Sequence, residues 1–143
     1  PYTVLIHGDY NTNNILYDPA EDRIHYIDLH RSADADLVQD VSVYMVSNFR
    51  LPIFDKARRG VLSAVILEMR RFAAAFAARH GDTTFDIRLA LGLGRSLITS
   101  TRFELSERFA RIMFHRGVFL LQRVADHTGD PADFRLPIDA LCY

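Results

Sequence analysis

From Leu37 to Asp126 the apolar residues of this chain recur at helical spacing, whereas before Asp28 they do not. That change of period constrains the fold more than any other feature. Residues 2–6, 14–17 and 23–28 are short β-branched or apolar runs, the length of strands rather than helices. Between the last two, Asp18-Pro19-Ala20-Glu21-Asp22 carries turn chemistry, because proline fixes φ and aspartate side chains satisfy local amides. The two runs therefore read as a hairpin whose return leg ends at Asp28.

About four helices are expected after it. Leu37, Val41, Tyr44, Met45 and Phe49 share one face of the first, which Leu51-Pro52 ends. Asp55 is placed to cap a second, with Leu62, Val65, Ile66, Met69, Phe72 and Phe76 as its buried stripe and His80-Gly81 as its stop. Thr84 is placed to cap a third that runs to about Ser100 and is locally weakened by Gly92 and Gly94. The fourth spans about Leu105 to Asp126, turning Ala110, Met113, Gly117, Leu120, Leu121 and Val124 inward. Glu104–Arg108 and Glu107–Arg111 are i,i+4 pairs on it. Gly129-Asp130-Pro131 opens an irregular tail. The fold class is mainly α (α+β), a single domain over residues 1–143.

Composition agrees with one globular domain: 143 residues, 49% hydrophobic and 24% charged, which excludes disorder and collagen-like repeats. No apolar run approaches the ~18 residues of a membrane span, and no secretory signal opens the chain. The single cysteine, Cys142, excludes an internal disulfide framework and a multi-cysteine zinc cage, so a cytoplasmic location is expected. A net charge of −1 gives no reason to expect nucleic acid or membrane as partner. The charge is uneven, however. Residues 1–50 carry eight acids and three bases, and the remainder ten acids and fourteen bases. A cation site beside an anion-attracting face and ordinary solvated helix surfaces both account for that split. Pro1 and the abrupt strand-like start read as the interior of a longer protein.

The informative stretch is His7-Gly8-Asp9-Tyr10-Asn11-Thr12-Asn13-Asn14, with Asp28 returned beside it by the hairpin. Two carboxylates and one amide oxygen within reach of a common point are the donors that a hard divalent cation takes. This stretch resembles the catalytic loop of protein-kinase-like phosphotransferases, in which His-x-Asp, four residues and Asn precede an Asp after a hairpin. Glycine in His7-Gly8-Asp9, the apolar-Asp pair Ile27-Asp28 and the helix-opening Asp40-Val41 look like the aminoglycoside phosphotransferase branch and its small-molecule kinase relatives. The resemblance is specific over residues 4–45.

It implies a kinase-like C-terminal catalytic lobe that transfers phosphate from ATP to a hydroxyl of an aminoglycoside, a sugar or a related metabolite. Asp9 would orient the acceptor hydroxyl and take its proton, and Asn14 and Asp28 would hold Mg²⁺ against the nucleotide phosphates. His7 would brace the loop, and Asp40 would tie its backbone to the next helix. Other polar residues have plainer readings. Asn11 and Asn13 suit a loop, and Asp34 and Asp36 are either acceptor-pocket groups or helix-start carboxylates. His25 and His30 lack zinc-type spacing, and Lys56-Ala57-Arg58-Arg59 reads as a solvated helix face.

Asp28 is followed by Leu29-His30 rather than Phe-Gly, which speaks against a protein kinase with a regulated activation loop. Six residues precede His7, and the only lysine, Lys56, lies downstream. The resemblance places the Gly-rich strands and phosphate-binding lysine of such enzymes in a lobe before the catalytic loop, so the nucleotide site is expected to be incomplete in this chain and the isolated chain inactive or nearly so. Two further readings stand beside the enzyme. One is a non-catalytic binding or assembly module that self-associates through an apolar surface where a nucleotide lobe would sit. The other is a metal-dependent phosphoesterase, for which further His or Asp ligands at regular spacing are absent from the sequence.

Overall fold

The computed structural model describes residues 3–141; Pro1, Tyr2, Cys142 and Tyr143 lie outside them. The short runs form two antiparallel pairs. β1 (Thr3–Ile6) pairs with β4 (Ala33–Asp36), with Thr3 opposite Asp36 and Ile6 opposite Ala33. Inside that pair, β2 (Ile15–Asp18) and β3 (Arg23–Tyr26) make the hairpin. Its turn works as its chemistry predicts: Asp18 Oδ1 accepts from the amides of Ala20 (2.8 Å) and Glu21 (3.4 Å). Tyr17, Ile24 and Tyr26 lie on one face of the hairpin and are all exposed.

Four helices follow: α1 (Val38–Phe49), α2 (Lys56–Arg79), α3 (Phe85–Ser100) and α4 (Glu107–Ala125). α3 is central, packing on α1 and α4 through the buried Leu89, Ala90, Leu93 and Leu97. Met45, Val46 and Phe49 of α1 meet it from one side, and Met113 and Leu120 of α4 from the other. Phe134, Leu136 and Leu141 of the tail close the core. Asp55 and Ser106 cap α2 and α4 by accepting from the amides of Arg58 and Phe109. Among the described residues, no helix is long and apolar enough to cross a membrane.

Five expectations need correction. β4 is a strand that the sequence pattern does not announce, between the hairpin and the first helix. The seam of α2 is narrower than its apolar stripe, burying Ile66, Ala73 and Ala77 while leaving Phe72 62% exposed. Arg59 is not on a solvated face: it is buried and donates to the carbonyls of Phe49 (3.4 Å), in the last turn of α1, and Leu51 (2.8 Å), just past it. Gly92 and Gly94 are sites of close helix approach; a Cβ on Gly94 would lie 2.8 Å from a methyl carbon of Leu121. Of the two helix pairs, Glu107–Arg111 forms at 2.6 Å, whereas Glu104 lies before α4 and accepts from the Ser106 amide.

Candidate active site

Asp40, in the first turn of α1, fixes the start of the loop. Its two oxygens accept from the backbone amides of His7 (2.6 Å) and Gly8 (3.0 Å), and such charge-assisted bonds are roughly twice as strong as neutral ones. Gln39 donates to the Gly8 carbonyl (3.3 Å), and the Ser32 hydroxyl donates to that of His7 (3.4 Å). Gly8 has a φ of +84°, and a Cβ there would sit 2.2 Å from the Arg31 carbonyl oxygen. Only glycine lets the loop pass under that carbonyl.

The ring of His7 joins the loop to the hairpin. Nδ1 accepts from the Asp9 amide (3.4 Å), which leaves the proton on Nε2 to be donated to the Ile27 carbonyl (2.8 Å). Tyr10 packs on His7, Tyr26 and Tyr44, with ring centroids 5.9, 5.8 and 5.5 Å away. Burial, and then the hydrogen bond with Tyr26, push the Tyr10 phenol well above the usual tyrosine range.

Asp9 is held by different groups at each atom. Its carbonyl accepts from Asn14 Nδ2 (2.9 Å) and its Oδ1 from Asn11 Nδ2 (3.0 Å), and Oδ2 forms an ion pair with Arg31 (3.1 Å). The side chain is nonetheless 32% exposed, so a molecule in solvent can reach it. Asn14 is buried, and with its Nδ2 committed to Asp9 no described residue donates to its Oδ1. The Asn14 carbonyl accepts from the Ile27 amide (3.1 Å), which places Asp28 one residue beyond Asn14's partner across the hairpin. Asp28 adopts the left-handed region (φ 59°, ψ 44°), which aspartate tolerates better than most residues. Its carboxylate is exposed and has no partner among the described residues.

His7, Asp9, Asn14, Ile27 and Asp40 thus form one hydrogen-bonded cluster, and Asp28 follows Ile27 in the chain. Asn14 Oδ1 and the Asp28 carboxylate are hard oxygen donors of the kind Mg²⁺ takes when phosphate and water complete its shell, so the donor set fits that ion. Among the described residues, no group of three or more His, Cys, Asp or Glu is placed to hold a metal on its own. Of the other candidates, Asp36 accepts from the Val38 amide and pairs with Arg88, as a helix-start carboxylate does. Asp34, His25 and His30 are exposed. Arg31, Gln39 and Ser47, whose hydroxyl accepts from the Thr12 amide, are additions that spacing alone does not flag. Arg31 carried the one available signal, a cation three residues after Asp28.

Residues 1–76, just over half of the 143-residue chain, match the sequence model of the phosphotransferase enzyme family. No curated protein and no solved structure matches the chain.

Proposed function

The chain belongs to the phosphotransferase enzyme family, and from that premise we propose that it is the catalytic lobe of an ATP-dependent kinase acting on a small-molecule hydroxyl. Aminoglycosides, sugars and related metabolites are the acceptor class. The observation that carries this reading is the treatment of Asp9, whose backbone and carboxylate are both pinned while the carboxylate stays reachable. A phosphoryl group in transfer needs little covalent help, so catalysis rests on holding groups in place.

In this reading Asp9 accepts a hydrogen bond from the acceptor hydroxyl, aims its oxygen at the γ-phosphate and takes its proton as transfer proceeds. Arg31 and Asn11 hold the carboxylate in one rotamer. Asn14 and Asp28 would hold Mg²⁺, which supplies charge neutralisation at the nucleotide phosphates. His7 and Asp40 brace the loop from the hairpin side and the helix side.

Transfer of the γ-phosphate of Mg²⁺·ATP to a panel of aminoglycosides, sugars and amino alcohols tests the reading, with a protein containing this chain and its Asp9→Ala variant compared. A fall of about 10²–10⁴ in the variant is expected for loss of a positioned acid–base group. A variant that transfers phosphate at the unsubstituted rate would remove Asp9 from the reaction.

A further inference from the structure

We propose that Ser47 is a positioning residue that fixes the metal-binding end of the loop, acting through the backbone amide of Thr12. What Asn14 does there rests on the function proposed above; the contact itself does not. Asp40, Tyr44 and Ser47 are spaced i, i+4, i+7 and so share one face of α1. They meet the loop in chain order: Asp40 takes the amides of His7 and Gly8, Tyr44 packs on Tyr10, and Ser47 Oγ accepts from the Thr12 amide at 3.2 Å. The loop is therefore laid along the helix with one contact per turn.

Ser47 is oriented for the task. Its own proton goes to the Tyr44 carbonyl one turn back (2.7 Å), which leaves the oxygen as an acceptor facing Thr12. Thr12 opens the single 3-10 turn Thr12–Asn14. The other two amides of that turn are satisfied locally, Asn13 by Asn11 Oδ1 (2.9 Å) and Asn14 by the Asn11 carbonyl (3.1 Å). Those bonds travel with the turn wherever it goes. Asn14's remaining bonds run to Asp9 and Ile27, that is, to the loop and the hairpin. The Thr12–Ser47 bond is the hydrogen bond that registers the turn against the helix.

Losing it strips the half-buried Thr12 amide of its acceptor and lets the turn carrying Asn14 drift, while α1 keeps its apolar face in the core. The test uses the whole chain with Ser47→Ala, with Ser47→Cys as a second variant of similar size and weaker acceptor strength, and with Ser47→Thr as rescue. Amide exchange at Thr12 and the Asn14 side-chain amide resonances are followed by NMR, and Mn²⁺ binding by water-proton relaxation. Exchange at Thr12 is expected to speed up and the Asn14 resonances to shift in the Ala and Cys variants, with Thr restoring both. Mn²⁺ affinity is expected to fall about tenfold, the lower end for loss of a group supporting a metal ligand. Unchanged exchange at Thr12, unmoved Asn14 resonances, or Mn²⁺ bound as tightly by Ser47→Ala as by the unsubstituted chain would each overturn the proposal. An unsubstituted chain that binds no Mn²⁺, with Thr12 and Asn14 responding as expected, leaves Ser47 in its positioning role. That outcome overturns instead the assignment of Asn14 and Asp28 to a metal.

Discussion

α1 is half the length of α2 and buries more of itself, seven of its 12 residues against four of 24. The buried set in α1 includes Ser42 and Asn48, whose polar atoms are bonded to Gln39, Ser96 and Tyr44. α2 docks through a thin seam at Arg59, Ile66, Ala73 and Ala77, and leaves Val61 and Phe72 in solvent beside an open groove that Tyr44, Val65 and Met69 help to line. Both helices have apolar residues at the right spacing. Only α1 has a face that reads out, residue by residue, the loop it supports. A helix that merely closes the core tolerates a loose fit, whereas one that sets the geometry of a reacting group does not.

The sharpest way to break this contrast is Asp40→Ala. It removes the charged acceptor of two backbone amides at once, and each unsatisfied donor in a half-buried place costs about 1–3 kcal/mol. Thermal unfolding is expected roughly 10 °C lower, on a scale of about 2–4 °C per kcal/mol for chains near this size. Glu68→Ala, which removes an exposed ion pair on α2, should leave the midpoint where it was. Equal losses from the two substitutions would show α1 to be no more than another packed helix.

Glycine to alanine offers a second comparison, with opposite signs. At Gly117 of α4 a Cβ would lie 2.7 Å from Ile98 Cγ1 and 2.9 Å from the Gly94 carbonyl oxygen, and a backbone oxygen cannot swing aside. Overpacking of this kind costs about 1–3 kcal/mol. At Gly60, in the first turns of α2, a Cβ meets nothing within 4 Å. There the substitution only removes the freedom of the unfolded chain and should stabilise by about 0.5–1 kcal/mol. Urea denaturation of Gly117→Ala and Gly60→Ala reads both, and destabilisation at Gly60 would mean that α2 is held more tightly than its thin seam suggests.

What the sequence disclosed follows the range of each interaction. The four helices and the hairpin were legible because spacing and turn residues are local signals. Ala33-Asp34-Ala35-Asp36 alternates small and acidic side chains and offers no apolar face; it is a strand because β1 supplies the ladder. Phe72 fits the helical period, but a period names a face and not how much of it a neighbour covers. Arg59 looked solvated as part of a basic run, and only the tertiary fold brings the carbonyls at the end of α1 within its reach. His7, Asp9, Asn14, Asp28 and Asp40 sit at motif spacing. Gln39 and Ser47 touch the loop across 31 and 35 residues, and nothing in a linear pattern marks such partners.

The smallest expected effect concerns how the entry to α1 is held. Asp36 accepts from the Val38 amide (3.0 Å) and from Arg88 Nε (2.7 Å) and Nη2 (3.0 Å), and Arg88 Nη1 reaches on to Asp82 (2.7 Å). Burial alone would raise the Asp36 carboxyl; the Arg88 bonds and the Val38 amide outweigh it and hold the group below its ordinary value. A carboxyl lowered in this way contributes stability above its unfolded pKa of about 3.9, and the contribution is lost as pH falls through the folded value. The side chain is 38% exposed, so solvent screening limits the contribution to about 0–1 kcal/mol. Asp36→Asn is therefore expected to lower stability slightly at neutral pH and to flatten the decline below about pH 4. Glu68 is also lowered, by its hydrogen bond from Arg71, but that pair is exposed on α2. Glu68→Gln should leave the acid profile unchanged. An equal flattening in both variants would show that the Arg88 link from the start of α1 to α3 holds no better than a surface pair.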